Sequence, residues 1–313
     1  CLDEDVDLIV LPEMFTSGFT MKPKHIAETM QGETVLWLQS LAKAKNSAIT
    51  GSLVIKENDN FYNRLVFVFP SDFKASITSL NADETLLGGA WSSDDEKAIF
   101  KSNPSKGDYF NKIYEAKLPR TLFTINLKTK TLTKLFTDTA WLNHVQFSPA
   151  DPKLLMFCHE GPWQKVDRIW TINIDTKKIK LMHKRTMDNE IAGHEWFSPD
   201  GKKLLFTSDR SGADNIWILD FEKQDTLQLT KTNVEDYVNA IWTPDGKYIV
   251  AAKGRRTPRL WMYNIDGGGG IQINDQPGSL KTIDPNFSAD GKLIYYSQRN
   301  GSWNYNALLP QYQ

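Results

Sequence analysis

Residues 197–201 read FSPDG, and the same short block returns along the chain. It appears as LNADE at 80–84, FSPAD at 147–151, WTPDG ending at Gly246 and FSADG at 287–291. The marker aspartates stand at 83, 151, 200, 245 and 290, so the steps are 68, 49, 45 and 45 residues. A step near 45 with Asp-Gly turns between apolar strands marks a β-propeller, one blade per repeat. In each unit an aromatic strand runs into the turn. The turn feeds a strand such as KKLLFTSD or YIVAAKG, and the next strand ends WILD or WMYNID. Asp-Gly supplies the positive φ that a tight hairpin needs. The long first step leaves room for an insertion around 92–115. The predicted fold is therefore mainly β, a propeller of about five recognisable repeats, with a small α/β segment before it. The last repeat ends early at NALLPQYQ, so closure is expected to be incomplete. Open sheet edges would then invite self-association.

Bulk properties narrow the field only a little. With 313 residues the chain can hold two domains or one large repeat fold. A net charge of −1 gives no ground for a nucleic-acid partner. No run of about 18 apolar residues exists, so no membrane span is expected. Two cysteines, Cys1 and Cys158, make no disulfide framework. No signal peptide is read, and a cytoplasmic setting is expected. The start at Cys1 suggests a segment of a longer reading frame.

Residues 1–72 differ from the rest. VDLIVLP is a continuous apolar run and predicts a buried strand. In residues 28–45, Val35, Leu38 and Leu41–Ala42 fall near helical spacing, with Glu33 and Thr34 in the first turn. ITGSLVIKE and NRLVFVFPS predict two more strands around a short loop. The order strand, helix, strand, strand fits an α/β layer.

LPEMFTSGF, MQGETVLWLQ, ITGSLVI and YNRLVFVFP, in that order, resemble the carbon–nitrogen hydrolases, the omega-amidase-like members above all. The resemblance implies a Cys–Glu–Lys amide-hydrolysing site. It makes Glu13 the acid/base residue, while the matching Cys and Lys lie beyond where the resemblance stops. Glu13 is then a remnant of that site or a strand-end carboxylate paired locally. Cys158 stands in an unrelated context.

SLNADETLLGGA, KLPRTLFTINLKT, LNHVQFSPADPKLLMFCHEGPW, VDRIWTIN and HKRTMDNEIAGHEWFSPDG, within about 76–199, resemble oligogalacturonate lyase. The resemblance implies β-elimination of 4-linked uronate oligosaccharides. A base removes the proton α to the carboxylate, whose charge must be offset as the carbanion forms. It implies His194 in AGHEW as the base and Arg168 in VDRIW as its catalytic helper. It implies His159 in CHEGPW and Arg185 in HKRTM as substrate-binding residues, an acidic oligosaccharide as partner and Mn²⁺ as cofactor. The family draws its metal-binding His and Gln from the later propeller. Here the five His stand at 25, 144, 159, 183 and 194, so the last 119 residues hold no imidazole. No metal ligand is assigned. Blander readings stand beside these. His194 could bond a turn carbonyl, Arg168 could pair with Asp167, and His144 could serve packing or strand pairing. The basic stretch 177–185 could be a solvated hairpin.

From about 200 to 313 the repeats resemble Tol-type propeller units, which serve as scaffolds or binding platforms. The division expected is 1–72 for the hydrolase-like fragment and 73–313 for the propeller, lyase-like to 199 and Tol-type after it. Three fragments joined without linkers suggest a chimera with junctions near 72–76 and 197–207. Three functions follow as expectations: a uronate lyase, a non-catalytic propeller binding glycan, peptide or protein, and a remnant amide hydrolase.

Overall fold

The computed structural model describes residues 6, 8–45, 47–68, 76–103, 105–129, 131–275, 280–288, 290–300 and 303–308. Cys1, the expected boundary at 72/73, Ala289 of the fifth turn and the terminal 309–313 lie outside the described residues. The chain parts into two compact units, residues 1–75 with 125–132, and residues 76–124 with 133–313.

In the first unit, strands β1 (Leu8–Val10), β2 (Ala48–Glu57) and β3 (Asn60–Val68) form one sheet in that order. β1 runs parallel to β2, and β2 antiparallel to β3. Helix α1 (Glu33–Lys45) connects the parallel pair, as a parallel crossover requires. Its Val35, Leu38 and Ala42 pack against Ile49, Leu53, Ile55, Val66 and Val68. The opposite face of the sheet leaves Val10 and Leu65 exposed.

Five further sheets follow in chain order. The first holds β4 (Ser76–Leu80), β5 (Leu86–Ser92), β6 (Arg120–Asn126) and β7 (Leu132–Asp138). The second holds β8 (Trp141–Phe147), β9 (Leu154–Glu160), β10 (Ile169–Asn173) and β11 (Ile179–Leu181). The third holds β12 (Gly193–Phe197), β13 (Lys203–Ser208), β14 (Asn215–Asp220) and β15 (Asp225–Gln228). The fourth holds β16 (Tyr237–Trp242), β17 (Tyr248–Lys253), β18 (Arg259–Asn264) and β19 (Ile271–Gln272). The fifth holds β20 (Leu280–Phe287), β21 (Ile294–Asn300) and β22 (Trp303–Leu308). This is a five-bladed β-propeller, mainly β, following a small α/β segment.

The turn that repeats in sequence joins the first two strands of each blade. Ser198 Oγ bonds Asp200 Oδ1 at 2.6 Å, and Thr243 and Ser288 do the same to Asp245 and Asp290, each at 2.6 Å. The glycines that follow take φ of +67° (Gly201), +68° (Gly246) and +71° (Gly291), where a side chain would be strained.

The core lies between blades. Along each second strand alternate residues point to opposite faces, so one strand feeds two cores. Leu155 and Phe157 join Leu122 and Leu142, whereas Met156 joins Phe197, Leu204 and Phe206. Ile249 and Ala251 join Leu205 and Trp242, whereas Val250 and Ala252 join Ile294 and Tyr296. Each fully buried Leu or Phe contributes about 1.5–3 kcal/mol. The long first repeat step holds α2 (Asp94–Ser102) and α3 (Lys106–Ala116), inserted between β5 and β6. Ser93 and Ser105 cap them by accepting from the N–H groups of Glu96 and Asp108. No helix among the described residues is long and apolar enough to cross a membrane.

Candidate functional site

The first strand of a blade carries a recurrent irregularity. Pairing with the second strand slips between Asn143 and Gln146, Gly193 and Trp196, Val238 and Ile241, and Ile283 and Asn286. Inside each slip sits one non-glycine residue with positive φ: His144 (48°), His194 (54°), Asn239 (52°) and Asp284 (55°). These are bulges, which re-aim a side chain, and His, Asn and Asp are the types that tolerate this backbone. The conformation of His194 therefore belongs to the blade architecture and recurs where no imidazole is present.

His144 and His194 occupy the same bulge position on neighbouring blades and lie within electrostatic reach of each other. Both are exposed. His194 makes no side-chain hydrogen bond among the described residues. His144 faces two carboxylates, with Nε2 3.6 Å from Glu160 Oε2 and Nδ1 3.5 Å from Glu195 Oε1. Partial burial is the main effect on His144 and lowers its pKa, against the pull of Glu195 and Glu160. Its imidazole is accordingly neutral near pH 7.

Arg168 is buried against the same two carboxylates that face His144. Its side chain is 5% exposed, with Nη1 2.6 Å from Glu160 Oε1 and Nη2 3.5 Å from Glu195 Oε1. Burial opposes its charge, but Cys158, Glu195 and Glu160 around it outweigh that and raise its pKa. Burial also opposes charge on Glu195, where Arg168 and His144 win and hold the carboxyl below its usual range. The buried Cys158 thiol donates to Glu195, and burial pushes its pKa up. One guanidinium against two carboxylates leaves the cluster a net negative charge.

The other expected residues stand elsewhere. His159 stacks on Trp170, ring centroids 4.8 Å apart at 24°, and burial lowers its pKa. Arg185 bonds Asp167 through Nε at 3.1 Å and the Trp163 carbonyl at 3.0 Å, which ties the loop before β10. Arg168 thus pairs across to Glu160 and Glu195, and Asp167 takes Arg185 instead. His183 is buried against Glu190 at 2.6 Å. Within the first unit, Glu13 is exposed and accepts a hydrogen bond from Asn63, a local pairing.

Glu160, Glu195, Cys158 and His144 were missed as members of the cluster. The signal was present in the repeated His-Glu pair, CHE at 158–160 and GHE at 193–195. Alternation in a strand turns the Glu to the side opposite its His.

Beside His144 opens a cavity of about 230 Å³. Phe100 and Trp141 wall it, Thr78, Ser92 and Asn143 border it, and the Glu96–Arg120 ion pair is part of its lining.

Comparison with known proteins agrees with this composite architecture. The family described as TolB beta propeller domain matches residues 163–309, and that described as carbon-nitrogen hydrolase matches residues 2–79. The chain is 28% identical over 200 residues to oligogalacturonate lyase of Dickeya dadantii (strain 3937), covering 56% of this chain and 51% of that protein. It is 39% identical over 64 residues to omega-amidase YafV of Escherichia coli (strain K12), covering 20% of this chain and 25% of that one. The chain spans about half the length of the curated lyases it matches. A solved oligogalacturonate lyase in complex with manganese superposes with TM-score 0.65 at 23% identity, covering 84% of this chain and 76% of that one. At that identity the likeness speaks for the fold. The chain joins a segment similar to carbon–nitrogen hydrolases to a lyase-like propeller with Tol-type repeats.

The donor set does not fit a divalent metal. Among the described residues no three His, Cys, Asp or Glu side chains converge on one point. The carboxylates nearest His144 are already held by Arg168.

Proposed function

We propose that the propeller acts on 4-linked uronate oligosaccharides by β-elimination, with His194 as the base. An imidazole nitrogen takes the proton α to the carboxylate. The C–H electron pair forms the new double bond, and the bond from the β carbon to the glycosidic oxygen breaks. The leaving oxygen gains a proton from water. The observation that carries this reading is the imidazole of His194, exposed and without a side-chain hydrogen bond among the described residues, on a bulge beside a second imidazole, His144. Acidic oligosaccharide is the partner this chemistry requires. The test is incubation of concentrated protein with oligogalacturonate, with and without Mn²⁺. Growth of ultraviolet absorbance from the unsaturated product is expected, and a flat trace in both arms rejects turnover.

A second reading, binding without turnover, is favoured by the pairing of Arg168. A buried guanidinium already paired with Glu160 and facing Glu195 has little charge left to offset a substrate carboxylate. Calorimetric binding of oligogalacturonate with no product, unchanged by chelator, is what that reading expects.

A further inference from the structure

We propose that the cavity beside His144 is a binding subsite for one sugar ring, built by the helical insertion onto the junction of the first two blades. This rests on the reading of the propeller as acting on oligosaccharides, and it adds where the neighbouring ring sits and what selects it.

The cavity is the right kind of space. Its volume, about 230 Å³, is below the roughly 300–1,000 Å³ that suits drug-sized ligands, so it takes one ring and no more. His144 lies on its edge, so a chain seated here continues past the paired imidazoles. Phe100 comes from α2 and Trp141 from β8, with ring centroids 6.3 Å apart at 60°. Two aromatic walls at an angle offer an apolar platform to the C–H face of a pyranose.

Of the polar groups on its border, Thr78 donates to the Val145 carbonyl at 2.7 Å, and two others are unspent. Neither the Ser92 hydroxyl nor the Asn143 amide makes a side-chain hydrogen bond among the described residues. Trp141 is 7% exposed, yet its indole N–H is buried with no acceptor. Buried donors are nearly always satisfied, so one left open in a cavity wall points to a group that arrives from outside. A hydroxyl can donate and accept, which matches an amide and a hydroxyl placed together.

The charged groups of the cavity are spent. Arg120 is bound to Glu96 through Nε and Nη2, and its Nη1 donates to the Leu142 carbonyl at 2.6 Å. Glu96 and Arg120 are 2% and 7% exposed and neutralise each other. The cavity therefore recognises a ring through its hydroxyls and its face, with no free cation among the described residues of its lining.

The full chain, labelled with ¹⁵N at tryptophan, tests this by the indole N–H signal of Trp141, assigned by its loss in Trp141→Phe. A galacturonate trimer is the probe and D-glucitol, which has hydroxyls and no ring, the control. The expected result is a saturable shift of the Trp141 signal with the trimer alone, and an affinity about tenfold weaker in Asn143→Ala and Ser92→Ala. Neither side chain makes a hydrogen bond to lose among the described residues, so both variants should fold, and unchanged spectra elsewhere check that. No Trp141 shift, an equal shift with D-glucitol, or unaltered affinity in both variants overturns the subsite. Product formation without a Trp141 shift sinks the subsite and leaves the elimination standing. A saturable shift without product does the reverse.

Discussion

Arg168 and Glu160 meet at 2.6 Å with the guanidinium 5% exposed, and Arg168 is the cation that Glu195 also faces. Three ionised groups out of water are held by each other, so removing the shared cation is the costly change. Arg168→Met should destabilise the propeller by about 3–5 kcal/mol, because two buried carboxylates lose their counter-charge. Urea unfolding measures it as a lower midpoint. A variant as stable as the parent would mean that these carboxylates reach water in solution.

The same cluster sets a pH dependence. Burial disfavours charge on Glu195, but Arg168 and His144 beside it hold its pKa below the ordinary carboxylate value. A folded-state pKa lower than the unfolded one contributes stability that is present above about pH 4.3, the unfolded value. That contribution is lost as pH falls through the folded pKa. Glu195→Gln should therefore melt lower than the parent at pH 7, and the gap should close as pH falls below about 4. Thermal melts from pH 7 to 3 read this directly. A gap that widens in acid would reverse the sign and refute the assignment.

His194 and His159 separate under mutation. His194 is exposed and makes no side-chain hydrogen bond among the described residues, so His194→Ala should leave stability unchanged and lower the proposed elimination about 10²–10⁴-fold. His159 stacks on Trp170 at 4.8 Å, so His159→Ala should cost about 0.5–1.5 kcal/mol of stability while turnover stays within error. Ultraviolet rates and urea midpoints on both variants decide it. Equal rate losses in the two would place His159 at the substrate.

The blades were legible because each depends on local chemistry. A Ser or Thr two residues before an Asp, then a Gly, specifies the first turn, and Ser198, Asp200 and Gly201 adopt it as their spacing implies. The alternation of LLMFC and KLLFT shows which strands feed two cores. The strand–helix–strand–strand order of the first segment was legible for the same reason, as its apolar spacings are local. The ion cluster was less so. Its members, His144, Cys158, Glu160, Arg168 and Glu195, come from three strands and a loop, and their meeting depends on a bulge that turns His144 outward. A one-residue slip in register changes the face of every side chain beyond it. Arg168 could be seen as a charged residue of a lyase-like motif, but the count of carboxylates around it could not.

Cys158 gives the remaining test, because its reactivity reports on the same cluster. The thiol is fully buried and donates to Glu195, and burial with that neighbouring carboxylate pushes its pKa well up. A thiol kept protonated and out of contact with solvent is inert to alkylation, since only the thiolate attacks. Iodoacetamide should therefore leave Cys158 unmodified in native buffer at pH 8 and label it in step with urea unfolding. Peptide mapping by mass spectrometry keeps its signal apart from that of Cys1. In Arg168→Met the labelling should begin at lower urea, since the loss of the shared cation loosens the strands that enclose the sulfur. Rapid native labelling would mean that the thiol is open to solvent and ionised, which a buried Cys158 bonded to Glu195 does not allow.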